Sequence, residues 1–181
     1  MIMTPIENDI INPALMLAIS RMKEHNNKDT QNKMVEEALN ARFLIPCEMH
    51  FAPGTENEKK RTPKNTFPNI NLIKTTDGKV YFMAFTDMGE LKKWQDKDGQ
   101  NVLVMGFDDV TGLAMNPKSN AEGFVINPVT SNVVFQNPMI KNIIQNRDQA
   151  IKDGRIRVVD PKTMEIKRRK QEEELRGDTD S

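Results

Sequence analysis

The chain is short of the residue types that most chemistry needs. It has one cysteine in 181 residues, Cys47, which excludes an intrachain disulfide. Two histidines beside that single thiol are too few soft ligands for a structural zinc site, and no carboxylate pattern accompanies them. There is no excess charge of either sign. Twenty-six lysines and arginines balance 26 aspartates and glutamates, so a generic electrostatic pull toward nucleic acid or anionic lipid is not expected. No apolar run approaches the ~20 residues of a membrane span. The opening MIMTPIENDI lacks the basic start and apolar core of a signal peptide. A phosphate-binding Walker loop, a dinucleotide glycine fingerprint, a nucleophile elbow and a zincin helix are all missing. A cytoplasmic protein is expected, with one core and extensions, no cofactor and no metal.

What is present is architectural. Asn12-Pro13 is a helix start, with Ile11, Leu15, Ala18, Ile19 and Met22 on one face. The polar run His25 to Asp29 ends it, and Thr30 to Ala41 forms a second helix with Met34, Val35, Ala38 and Leu39 as its stripe. Arg42 to His50 alternates as a strand, and Pro46 places it at a sheet edge or makes it leave the sheet early. Ala52 to Pro68 is a long polar loop. Asn71 to Thr76 and Lys79 to Phe85 form a hairpin, whose Asp77-Gly78 suits a two-residue turn with positive φ at both positions.

Val80 to Pro128 is the most specific stretch. A strand ends in Phe85-Thr86-Asp87, a short helix carries Met88, Leu91 and Trp94 on one side, and Val102 to Met105 is the next strand. A crossover of this length permits a parallel pair. Asp108 or Asp109 caps another short helix with Val110, Leu113 and Ala114 inward. Gly123 to Ile126 is a third strand, Asn127-Pro128 turns the chain, and Val133 to Phe135 returns it. Asn137-Pro138 starts a helix bearing Ile140, Ile143, Ile144 and Ile151, which Gly154 stops. The expected fold is α+β: a mixed β-sheet with a hairpin and a strand-helix-strand crossover, flanked by short helices. Residues 10–153 form the domain, and 154–181, nearly all charged and polar, form an arm or tail. Arg155 to Val159 is one more strand or part of that arm.

Asn12-Pro13-Ala14-Leu15, Phe43-Leu44-Ile45-Pro46, Ala84-Phe85-Thr86-Asp87, Leu91 with Lys93-Trp94, and Gly123 to Pro128 occur in one order along the chain. In that order they resemble the N-terminal domain of the SseB family, named for enhanced serine sensitivity in bacteria. The resemblance covers Ile10 to Ile144. It implies an α+β domain and brings no established activity or cofactor. Some members carry a second, C-terminal SseB domain, for which this chain is too short after its first.

Each polar group has an architectural reading. Cys47 shares a strand face with Phe43 and Ile45, as a buried thiol would, and His50, three residues on, points to the opposite face. His25 sits in a solvated helix end. Asp87, Glu90, Asp108 and Asp109 stand at helix starts, where a carboxylate satisfies free N–H groups and favours the dipole. Twelve methionines fall mostly within apolar stripes and fill core gaps. Trp94 pins its helix on the sheet or anchors a partner. The expected function is a non-catalytic module that binds another protein, itself included, through Phe85, Trp94 and Asn127. The alternative is an enzyme or small-ligand sensor using strand ends at Asp87, Asp108, Asp109 and Asn127. A third reading is nucleic-acid binding through Lys59, Lys60, Arg61 and Lys64, although no aromatic residue interleaves with them.

Overall fold

The computed structural model describes residues 10–53 and 66–156. The basic cluster Lys59 to Lys64 and the charged stretch from residue 157 onward lie outside them. The chain divides into two compact units, Met1–Ile140 and Lys141–Ser181. The first opens with a helical hairpin, α1 (Pro13–Glu24) and α2 (Lys28–Asn40). Strands β1 (Arg42–Phe51), β2 (Thr66–Ile70), β3 (Leu72–Lys74) and β4 (Val80–Ala84) follow. Then come α3 (Met88–Trp94), β5 (Asn101–Gly106), α4 (Phe107–Ala114), β6 (Gly123–Ile126) and β7 (Val133–Gln136). Helix α5 (Asn137–Lys152) begins in this unit and runs into the second. The fold is α+β.

The strands form two sheets, ordered β2-β1-β5 and β3-β4-β6-β7. β4 and β6 are parallel, and the other pairings are antiparallel. The parallel partner of β4 is therefore β6 and not β5. The crossover takes in α3, β5 and α4, and β5 joins β1 instead.

Pro46 does not put β1 at an edge, because β1 is the central strand of its sheet. Leu44 exchanges both backbone hydrogen bonds with Phe85, at 2.8 and 2.9 Å, and the Pro46 carbonyl accepts the Asn71 N–H at 3.0 Å. Alternate residues of an antiparallel strand turn their polar groups to the same side. The nitrogen of Pro46 thus faces the opening between Phe85 and Asn71, where no donor is needed. Pro68, expected in a loop, lies in edge strand β2 opposite Met49, a position where proline costs the ladder little.

The hairpin turn also differs from expectation. Gly78 has φ +86° and Asp77 is not in the left-handed region. The Gly78 N–H bonds the Thr75 carbonyl at 2.9 Å and the Thr75 N–H bonds the Lys79 carbonyl at 2.8 Å, giving a three-residue loop with one left-handed residue. The Thr75 hydroxyl donates to the Asp77 carboxylate, which holds Asp77 below the usual carboxylate pKa.

Period-two alternation on strands covered from both sides builds two cores. Phe43, Phe107, Phe124 and Phe135 fill one, under α4. Phe124 stacks on Phe135 at 4.9 Å, and Phe107 meets both edge-on at 5.8 Å. Each such burial stabilises by about 1.5–3 kcal/mol. Leu44, Tyr81, Met83, Phe85, Val102 and Val125 form the other, closed by Leu91 of α3 with Trp94 at its margin. Ile11, assigned to the buried stripe by spacing, is 67% exposed because it precedes the helix and does not share its period.

In the second unit α5 continues to Lys152. Gly154, at φ +69°, ends it with its N–H on the Ile151 carbonyl at 3.0 Å, as expected.

Candidate functional site

The junction where β4 runs into α3, and β6 passes into the Asn127-Pro128 turn, collects a dense polar network. Asn127 is 0% exposed and sits at φ +46°. Proline usually drives its predecessor extended. Here three N–H groups, from Thr130, Ser131 and Asn132, converge on the Asn127 carbonyl at 2.8–3.1 Å and hold the left-handed turn. The Asn127 amide then reaches back across the parallel pair. Its Oδ1 accepts the Thr86 N–H at 3.0 Å and its Nδ2 donates to Thr86 Oγ1 at 2.9 Å.

Asn12 completes the junction from α1. It makes no side-chain cap on its own helix. Its Nδ2 donates to the carbonyls of Arg42 at 2.8 Å and Thr86 at 2.7 Å, and its Oδ1 accepts the Arg42 N–H at 3.3 Å. Asn137 repeats this use of an Asn-Pro pair, with its Nδ2 on the Ala121 carbonyl at 2.8 Å. Spacing predicted a helix start at both positions and missed the clamp, because an asparagine before a proline looks the same in either role.

Asp87, Glu90 and Asp109 are engaged by nearby groups of the chain. Asp87 caps α3 through the Glu90 N–H at 2.9 Å and accepts the Thr86 hydroxyl at 2.9 Å. Glu90 does not close a capping box. It is buried, bonded to Lys93 Nζ at 2.6 Å and to the Thr130 hydroxyl. That hydrogen bond from Lys93 raises the lysine pKa. Asp109 accepts the Gly106 N–H at 3.0 Å, and α4 starts at Phe107, ahead of both expected caps, Asp108 and Asp109. Cys47 is buried, and burial pushes its thiol pKa up. His25 and His50 are exposed. Among the described residues no group of three or more His, Cys, Asp or Glu side chains could hold a metal.

Of the three residues expected at an interface, Phe85 and Asn127 are fully enclosed and Trp94 is half-buried, its ring 5.8 Å from that of Phe85. Of the three, only Trp94 keeps part of its surface open to solvent. The next residue, Gln95, lines a cleft of about 260 Å³ together with Glu48, Asn71, Lys97, Gln100 and Asn101. Sequence reading missed this cleft, since its residues come from three separate segments. None of Asp87, Asp108 or Asp109 lines it.

These observations define an α+β domain whose strand-end polar groups brace its junctions, with a polar cleft at the end of α3. The SseB protein N-terminal domain matches residues 15–142, and the chain belongs to that family. No curated protein and no solved structure gives a significant match. Among the described residues no helix is long and apolar enough to cross a membrane.

Proposed function

We propose that the chain is a non-catalytic module that binds another protein in the bacterial cytoplasm, with Trp94 as the anchor. One observation carries this reading: a half-exposed tryptophan is braced on the fully buried Phe85, and the residue after it, Gln95, lines the amide-rich cleft. Protein interfaces combine such a rigid aromatic anchor with a polar rim, and tryptophan is enriched where binding energy concentrates. The engagement of Asp87, Glu90 and Asp109 with helix starts, a lysine and a threonine supports the non-catalytic half. The single buried thiol fits a reducing compartment.

The test is affinity capture from native lysate with the full chain. Trp94→Ala and the rim variant Lys97→Glu are expected to lower partner recovery about tenfold or more. Lys97→Glu should leave the melting temperature unchanged, because Lys97 is exposed. Equal recovery by wild type and both variants overturns the proposal.

A further inference from the structure

A second surface lies on the helical hairpin. A groove of about 270 Å³ runs between α1 and α2, floored by Ala14, Leu17 and Ala18 and bordered by charged side chains of both helices. Leu17 is 52% exposed there, although α1 already buries Leu15 and Ile19 on its other side. The helix is therefore apolar over a wider arc than its own core requires.

The charges bordering this groove are two of each sign: Arg21 and Lys33, Asp29 and Glu37. Lys33 is satisfied within α2, 2.8 Å from Glu37 and 3.1 Å from Glu36. Arg21 and Asp29 have no ionic or hydrogen-bonded side-chain partner among the described residues. Both lie at the end of the groove where the short turn joins α1 to α2.

We propose that this groove is a self-association surface, occupied by the same groove of a second copy of the chain. It rests on the reading of the chain as a protein-binding module and names one partner. A two-fold axis along the groove lays α1 of each copy over α2 of the other, turn end to turn end. In an isologous contact, a residue that meets a second residue across the axis is met by it in return. Arg21 of each copy then faces Asp29 of the other, so the dimer holds two such pairs. Leu17 of each copy is then covered by α2 of the other, and the small Ala14 and Ala18 beside it on α1 permit close approach. A like-charged or wholly apolar groove would not select its own copy in this way.

Sedimentation velocity of the full chain, from low micromolar to millimolar concentration, tests the assignment. A concentration-dependent dimer is expected. Leu17→Glu should weaken it at least about tenfold. Arg21→Asp and Asp29→Arg should each weaken it, and the double exchange should restore it. Leu17 and Arg21 are exposed, so circular dichroism and thermal melts should match wild type. A monomer at every concentration overturns the proposal, as does a dimer indifferent to these variants or one that the double exchange fails to restore. A monomer that still captures a partner through Trp94 defeats this inference alone. A groove-dependent dimer with no Trp94-dependent capture defeats the other reading alone.

Discussion

The side chain of Asn127 closes on Thr86 with two hydrogen bonds, 3.0 Å to its N–H and 2.9 Å to its hydroxyl, in a site sealed from water. Parallel strands β4 and β6 are thereby locked at the ends from which α3 and the Pro128 turn depart. Asn127→Ala leaves the Thr86 N–H buried without its acceptor, and an unsatisfied buried group costs roughly 1–3 kcal/mol. Alanine also tolerates φ +46° less well than asparagine. The expected loss in urea denaturation is about 2–4 kcal/mol. A loss under about 0.5 kcal/mol would show the pair to be incidental.

Asn12 separates a clamp from a cap. Asn12→Asp keeps a good N-cap residue yet removes the Nδ2 that serves the Arg42 and Thr86 carbonyls. Both Asn12→Asp and Asn12→Ala are expected to lose about 1–3 kcal/mol with helix content retained by circular dichroism. Full stability in the aspartate variant would restore the capping role.

Two glycines should respond in opposite directions. A Cβ on Gly123 would stand 1.9 Å from the Phe135 carbonyl oxygen, at φ +152°, where β7 presses on β6. Gly123→Ala is expected to cost several kcal/mol or to prevent folding, because the obstacle is backbone and cannot swing aside. A Cβ on Gly112, within α4, meets nothing within 4 Å. Gly112→Ala should stabilise by about 0.5–1 kcal/mol. Paired thermal melts check both, and a tolerated Gly123→Ala would refute the β6–β7 spacing.

Burial raises the Cys47 pKa above that of the unfolded chain. The unfolded thiol therefore ionises first. Stability from this group is intact below the ordinary thiol pKa of about 8.5 and falls as pH rises toward the folded value. The difference in denaturation midpoint between wild type and Cys47→Val should hold constant through neutral pH and shift against wild type above it. A thiol reagent should label the native chain far more slowly than the unfolded one. Rapid native labelling would contradict the enclosure.

Much of this architecture was legible in the residues. Period-two runs at Phe43 to Cys47, Tyr81 to Ala84 and Gly123 to Ile126 are strands, and Asp87 caps α3. Gly154 stops α5 through its positive φ. These are local consequences of side-chain period and backbone sterics, which a short window contains. Illegible were the central place of β1 despite Pro46, the separation of β5 from β4, and the strand at Pro68. Each depends on which strand lies alongside, a matter of long-range pairing.

The order of motifs, the α+β class and the family follow from the chain alone, because spacing fixes which faces are apolar and where helices and turns begin. Only the tertiary structure decided the fate of the polar groups. It enclosed Phe85 and Asn127, left Trp94 half-open, and turned Asn12 from a cap into a clamp. Burial and hydrogen-bond partnership arise between segments distant in sequence, and no local pattern records which distant backbone group will be left needing a donor.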